Sequence, residues 1–108
     1  MEAQEPKTIQ DIETEIISVL KTIYDPEIPV NIYDLGLIYK IDIDLPKVDI
    51  TMTLTSPNCP MTDVLMYQIE NRLQLLEEID IVNITITFDP PWDKDMISEE
   101  GKLNLGFL

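Results

Sequence analysis

The hydrophobic period changes twice between Val48 and Phe88, and this double change restricts the possible folds more than any other feature of the chain. Val48, Ile50, Met52 and Leu54 alternate with Asp49, Thr51, Thr53 and Thr55, the two-residue period of a strand with one buried face. From Met61 the apolar positions recur every three or four residues, at Leu65, Ile69, Leu73 and Leu76 with Val64 beside them, which predicts an amphipathic helix closing between Arg72 and Glu78. Val82, Ile84, Ile86 and Phe88 then alternate with Asn83, Thr85 and Thr87. Strand, helix and strand in that order predict a right-handed crossover, with the two strands parallel.

Upstream, Ile9, Ile12, Ile16, Val19, Leu20 and Ile23 follow helical spacing, with Thr8 as N-cap and Asp11 and Glu13 in the turns the helix dipole favours. Asp25-Pro26 stops this helix and Pro29 keeps it from resuming, so residues 25–34 form an ordered loop. Gly36 opens a strand in which Leu37, Tyr39, Ile41, Ile43 and Leu45 face one way and Lys40, Asp42 and Asp44 the other. Pro46-Lys47 turns it back into the Val48–Thr55 strand as an antiparallel hairpin. Asp89-Pro90-Pro91-Trp92 breaks the last strand, and Ser98 to Leu105 forms a short final helix or turn that Gly101 weakens. The expected fold is a small α/β, two-layer α+β sandwich: a three-stranded mixed sheet with helices covering one face. Residues 1–7 read as a mobile tail and 8–108 as a single domain.

Composition narrows the function. With 21 acidic residues against 7 basic ones the net charge is -14, which repels nucleic-acid phosphates and anionic membranes and attracts basic partners or cations. One cysteine makes no intramolecular disulfide, and the absence of histidine removes Cys-His and Ser-His pairs and His-ligated zinc sites. No leader-like N-terminus and no membrane-spanning apolar run is present, so a cytoplasmic location is expected.

Cys59 lies in Ser56-Pro57-Asn58-Cys59-Pro60, where strand period gives way to helix period. Pro60 suits the first helical position, which makes Cys59 an N-cap whose sulfur faces free N–H groups and the positive end of a dipole, both of which favour a thiolate. The plainer reading is a small buried hydrophobe. Asp25 and Glu27 flank Pro26 and could bind a hard cation or serve as acid and base, or could simply cap and turn the chain. Thr53 and Thr55 point away from the core side of their strand, and their use depends on whether they line one pocket with Cys59. Trp92, the only tryptophan, either seals the core or anchors a partner.

Three motifs now stand in order: Asp25-Pro26-Glu27-Ile28-Pro29-Val30-Asn31-Ile32-Tyr33-Asp34-Leu35-Gly36-Leu37-Ile38-Tyr39, then Thr53-Leu54-Thr55-Ser56-Pro57-Asn58-Cys59-Pro60, then Pro90-Pro91-Trp92. Together they resemble the iron-sulfur cluster assembly domain shared by bacterial SufT, the PaaD-type proteins and the eukaryotic cytosolic iron-sulfur targeting factors. The resemblance runs from about Thr8 to the C-terminus, and in length it looks most like the stand-alone SufT type. It implies an auxiliary factor, not an enzyme, that helps deliver clusters to apo-proteins and works with the assembly machinery and its clients. It also implies a common surface site at Asp25, Glu27, Thr53, Thr55 and Cys59, with Cys59 the metal ligand for a transient iron-sulfur cluster and no stable cofactor.

The chemistry agrees with that implication, since thiolates ligate such clusters. A cluster takes four ligands, so one cysteine needs a homodimer, a partner or a small thiol to complete the set. Two other readings remain open at this stage. One is a PaaD-type accessory protein of a multicomponent oxygenase, and the other is an enzyme with Cys59 as nucleophile and Asp25 or Glu27 as base.

Overall fold

The computed structural model describes residues 8–25, 28–55 and 62–106. Within them the chain runs α1 (Ile9–Leu20), β1 (Ile38–Asp44), β2 (Lys47–Met52), α2 (Thr62–Leu73), β3 (Ile81–Ile86), a single 3-10 turn (Lys94–Met96) and α3 (Glu99–Leu105). The expected tail at 1–7, Glu27 and the Cys59 N-cap with Pro60 lie outside the described residues.

Helix α1 starts where its sequence says it should. The Thr8 hydroxyl accepts from the Asp11 N–H at 3.1 Å and the Asp11 carboxylate accepts from the Thr8 N–H at 3.0 Å, a reciprocal capping box. Ile12, Ile16 and Leu20 turn inward, one buried residue per turn. In α2 the inward set is Leu65, Ile69 and Leu73. Both helices pack on the sheet face that carries Val48, Ile50, Met52 and Val82, while Lys40, Asp42, Asp44, Asn83 and Thr85 stay exposed on the other.

The sheet order is β1-β2-β3, with β1 antiparallel and β3 parallel to β2, as the double change of period requires. Val48 pairs with Ile43 on one side and Val82 on the other, and Ile50 with Ile41 and Ile84. The register slips between Ile38 and Lys40, which makes Tyr39 an extra residue. A bulge of this kind re-aims a side chain. The Tyr39 hydroxyl donates to the Pro90 carbonyl at 2.8 Å and lies 3.7 Å from the Met96 sulfur.

Strand β2 ends at Met52, three residues earlier than its alternation suggests. Both ladders still hold the chain at this point: the Thr53 N–H donates to the Leu37 carbonyl at 2.8 Å, and the Met52 carbonyl accepts from the Thr87 N–H at 2.8 Å. Met52, Thr53 and Leu54 are all buried in succession. Thr53, expected on the face away from the core, has no exposed surface, while Thr55 is half-buried.

The C-terminal segment locks onto the loop before β1. The Trp92 indole N–H donates to the Leu35 carbonyl at 2.7 Å while the ring packs on the core, so Trp92 seals this end of the molecule. Gly36 takes φ +81, and a Cβ there would run into the carbonyl oxygen of Met96. Gly101 does not stop α3 from forming. A Cβ at that buried position would lie 2.8 Å from Ile97 Cγ2 and 3.2 Å from the Asp34 carbonyl oxygen, so the residue that weakens the helix also lets it dock.

Candidate functional site

Three segments meet at the end of the sheet where β2 and β3 both terminate: the loop 31–37, the exit 53–55 and the stretch 87–98. Carboxyl ends of parallel strands, followed by a helix N-terminus, are where open α/β sheets place their ligands. Along the sequence the β2 exit is followed by the stretch that contains Cys59 and then by α2.

Beneath this end lies a buried polar cluster. Asp34 Oδ2 accepts from Asn31 Nδ2 at 2.7 Å, Asp34 Oδ1 accepts from the Ser98 hydroxyl at 2.9 Å, and the Asp34 N–H donates to Asn31 Oδ1 at 2.8 Å. Ser98 also caps α3, accepting from the Gly101 N–H at 3.1 Å, and its own N–H donates to the Asp34 carbonyl at 2.7 Å. Both carboxylate oxygens are therefore engaged, and the cluster ties the loop to a helix more than sixty positions away. Asp34 escaped notice in the sequence because its signal, an Asn-x-x-Asp turn, is common in loops. Its distant partner Ser98 reads in the sequence as the start of the last helix, and nothing there ties it to Asp34.

Thr53 differs from that cluster. Its backbone is paired, but its hydroxyl, wholly buried, has no hydrogen-bond partner among the described residues. A buried hydroxyl left unpaired costs roughly 1–3 kcal/mol, so a native structure that keeps one calls for a reason.

Asp25, 7% exposed, sits at the far side of the same loop system. Its Oδ2 accepts from the Ile28 N–H at 2.9 Å and its own N–H donates to the Val30 carbonyl at 3.3 Å, which closes the turn. The bland part of its reading, a turn-forming aspartate, therefore holds for that oxygen. A ladder of backbone bonds carries this turn to the β2 exit: Ile32 to Ile23, Leu37 to Ile32 and Thr53 to Leu37, at 2.8, 3.2 and 2.8 Å. Of the five expected site residues, Asp25, Thr53 and Thr55 are thus placed on segments joined by hydrogen bonds, and Glu27 and Cys59 lie outside the described residues. Among the described residues no three carboxylates or thiols converge on one point, and no helix is long and apolar enough to cross a membrane.

The comparisons with known proteins point one way. Residues 13–86 match the model of a family described as iron-sulfur cluster assembly protein. The chain is 50% identical over 97 residues to a protein of Porphyromonas gingivalis named Fe-S protein maturation auxiliary factor, covering 89% of this chain and 92% of that one. It is 40% identical over 85 residues to the Fe-S protein maturation auxiliary factor SufT of Staphylococcus aureus, covering 78% and 97% of the two chains. Among solved structures it is similar to a domain of unknown function from Bacillus anthracis, with a TM-score of 0.84 at 31% identity over 92% of this chain and 95% of that one.

Proposed function

This chain belongs to the iron-sulfur cluster assembly protein family, and from that premise we propose that it acts as an auxiliary factor in iron-sulfur protein maturation, handing clusters to apo-proteins through Cys59. The observation that carries the reading is the likeness, over most of both chains, to proteins named for that role. That those relatives are named as auxiliary factors supports a role without substrate turnover of its own. The assembly machinery and apo client proteins are its partners in this reading, and the cluster is cargo.

Each expected site residue then has a task. Cys59 supplies the thiolate, the ligand that iron prefers in such clusters and one that can be exchanged. Thr53 holds a buried hydroxyl with no partner among the described residues, on the strand that precedes Cys59 in sequence, and a hydroxyl can turn its proton toward an acceptor that a partner or cargo brings. Asp25 shapes the neighbouring loop, and Glu27 and Thr55 belong to the same expected set. The remaining ligands come from the client or from small thiols, since one thiolate leaves a four-ligand cluster incomplete. The net charge of -14 steers basic faces of partners toward the protein. Neither the oxygenase-accessory role nor a nucleophilic enzyme draws support from the geometry or from the relatives' names.

Cys59→Ser tests the proposal. The variant should fold and melt like the parent, while cells that depend on it lose iron-sulfur client activity, and anaerobic cluster transfer from the purified variant falls to background. Normal client activity with Cys59→Ser, at equal protein level, would sink the idea. Native protein should also react with iodoacetamide at Cys59 without denaturant, because a ligand that exchanges must be reachable.

A further inference from the structure

The sheet ends on two unlike edges. At β1 the edge carries a bulge at Tyr39 and the charges Lys40, Asp42 and Asp44. Bulges and charges are the devices that stop an edge from recruiting another strand. β3 has none of them. From Ile81 to Phe88 the chain reads Ile-Val-Asn-Ile-Thr-Ile-Thr-Phe, with no charge and no proline, and its pairing to β2 runs without a register shift. In a chain with 26% charged residues, eight neutral ones on an open edge are a notable departure.

The ladder fixes which groups face outward. The Ile81 N–H donates to the Pro46 carbonyl at 3.1 Å and the Thr87 N–H to the Met52 carbonyl at 2.8 Å, so the odd-numbered residues point their N–H groups toward β2. Alternation turns the N–H and C=O of Val82, Ile84 and Ile86 to the open side, where no strand pairs with them among the described residues.

We infer that this edge pairs with β3 of a second copy of the chain, antiparallel about a two-fold axis at Ile84. Residues that meet across such a pair must both point outward, so Val82 meets Ile86 of the second copy and Ile84 meets its own equivalent. That register forms about six hydrogen bonds, two for each pair. It also keeps the helix-side Val82, Ile84 and Ile86 on one face and Asn83 and Thr85 on the other, so both layers continue across the seam.

Charge selects the occupant. Two chains of net charge -14 repel wherever carboxylates meet, and Ile81 to Phe88 offers a contact where none do. A basic peptide, the partner that the net charge would otherwise favour, finds no carboxylate along this strand. Antiparallel pairing sends the two β2 exits to opposite ends of a six-stranded sheet, roughly 25 Å apart by strand spacing and rise. The assembly therefore presents two separate candidate sites, not one shared site. This pairing does not rest on the maturation role.

The test is sedimentation velocity across a concentration series together with amide hydrogen exchange followed by NMR. We expect a dimer of twice the chain mass at tens of micromolar, with the Val82, Ile84 and Ile86 amides exchanging on the order of tenfold more slowly at high concentration than at low. Ile84→Pro, which removes an outward N–H and spares the ladder to β2, should be monomeric. If that variant fails to fold, exchange in the natural chain decides the matter alone. A monomer at all concentrations overturns the inference, and so does a dimer whose three amides are unaffected. Protection that appears in a monomeric chain only on adding oligolysine overturns it in favour of a basic partner. Cys59→Ser should keep the dimer, which separates failure of this inference from failure of the cluster-transfer role.

Discussion

The two ends of the sheet are held by different means. At the hairpin end, Leu45 and Pro46 turn β1 into β2, and the Pro46 carbonyl accepts from the N–H groups of Asp80 and Ile81 at 2.8 and 3.1 Å. The one side-chain ion pair among the described residues there, Lys47 with Asp49 at 3.7 Å, is solvated on both sides. At the opposite end, segments more than fifty positions apart meet, through Tyr39 and Pro90, Leu35 and Trp92, and Asp34 and Ser98. There Asp34 and Asn31 are buried, and the Thr53 hydroxyl, also buried, has no hydrogen-bond partner among the described residues. The hairpin end is turned by neighbouring residues, and the opposite end, joined by distant segments, carries the hydroxyl that stability alone does not explain.

Substitutions can break this contrast, and they rank by burial. Asp34→Ala removes the acceptor of Ser98 and Asn31 inside the molecule and should destabilise it by about 3 kcal/mol, read as a lower urea midpoint. A loss under about 1 kcal/mol would mean that water already reaches the cluster, and the two ends would be less different than their geometry implies. Thr53→Val should move stability the other way, by up to about 1 kcal/mol, because it deletes a buried hydroxyl that makes no hydrogen bond to the described residues. Loss of client maturation in a Thr53→Val protein of equal or higher stability would sharpen the contrast into a division between fold and function. A large destabilisation would instead show that the hydroxyl is structural. Lys47→Ala should cost less than about 0.5 kcal/mol, since an exposed pair across solvent contributes little.

Much of the fold was legible in the residues. The Thr8 cap, the α1 face of Ile12, Ile16 and Leu20, the hairpin and the parallel return of β3 each follow from period, capping and crossover rules that act within a few residues. The candidate site was only partly legible. Its residues were named from a resemblance, but the state of Thr53 was not readable. An alternating strand predicts an outward threonine, whereas Met52, Thr53 and Leu54 are buried in succession where the loop 31–37 and the stretch 87–98 meet the β2 exit. Trp92 and Gly101 were ambiguous for the same reason, since a lone aromatic after two prolines and a glycine within a short helix have meaning only against the surfaces they meet.

Sequence by itself determined the kind and order of the two long helices and three strands, and with three separated motifs the family, because hydrophobic period and turn chemistry are properties of neighbouring residues. Tertiary structure alone decided that the C-terminal segment closes over the strand ends, that Asp34 is spent on Asn31 and Ser98, and that the Thr53 hydroxyl is buried with no partner among the described residues. Those outcomes depend on which distant groups reach a buried donor or acceptor first, and hydrogen bonds act over about 3 Å in space with no regard to separation along the chain.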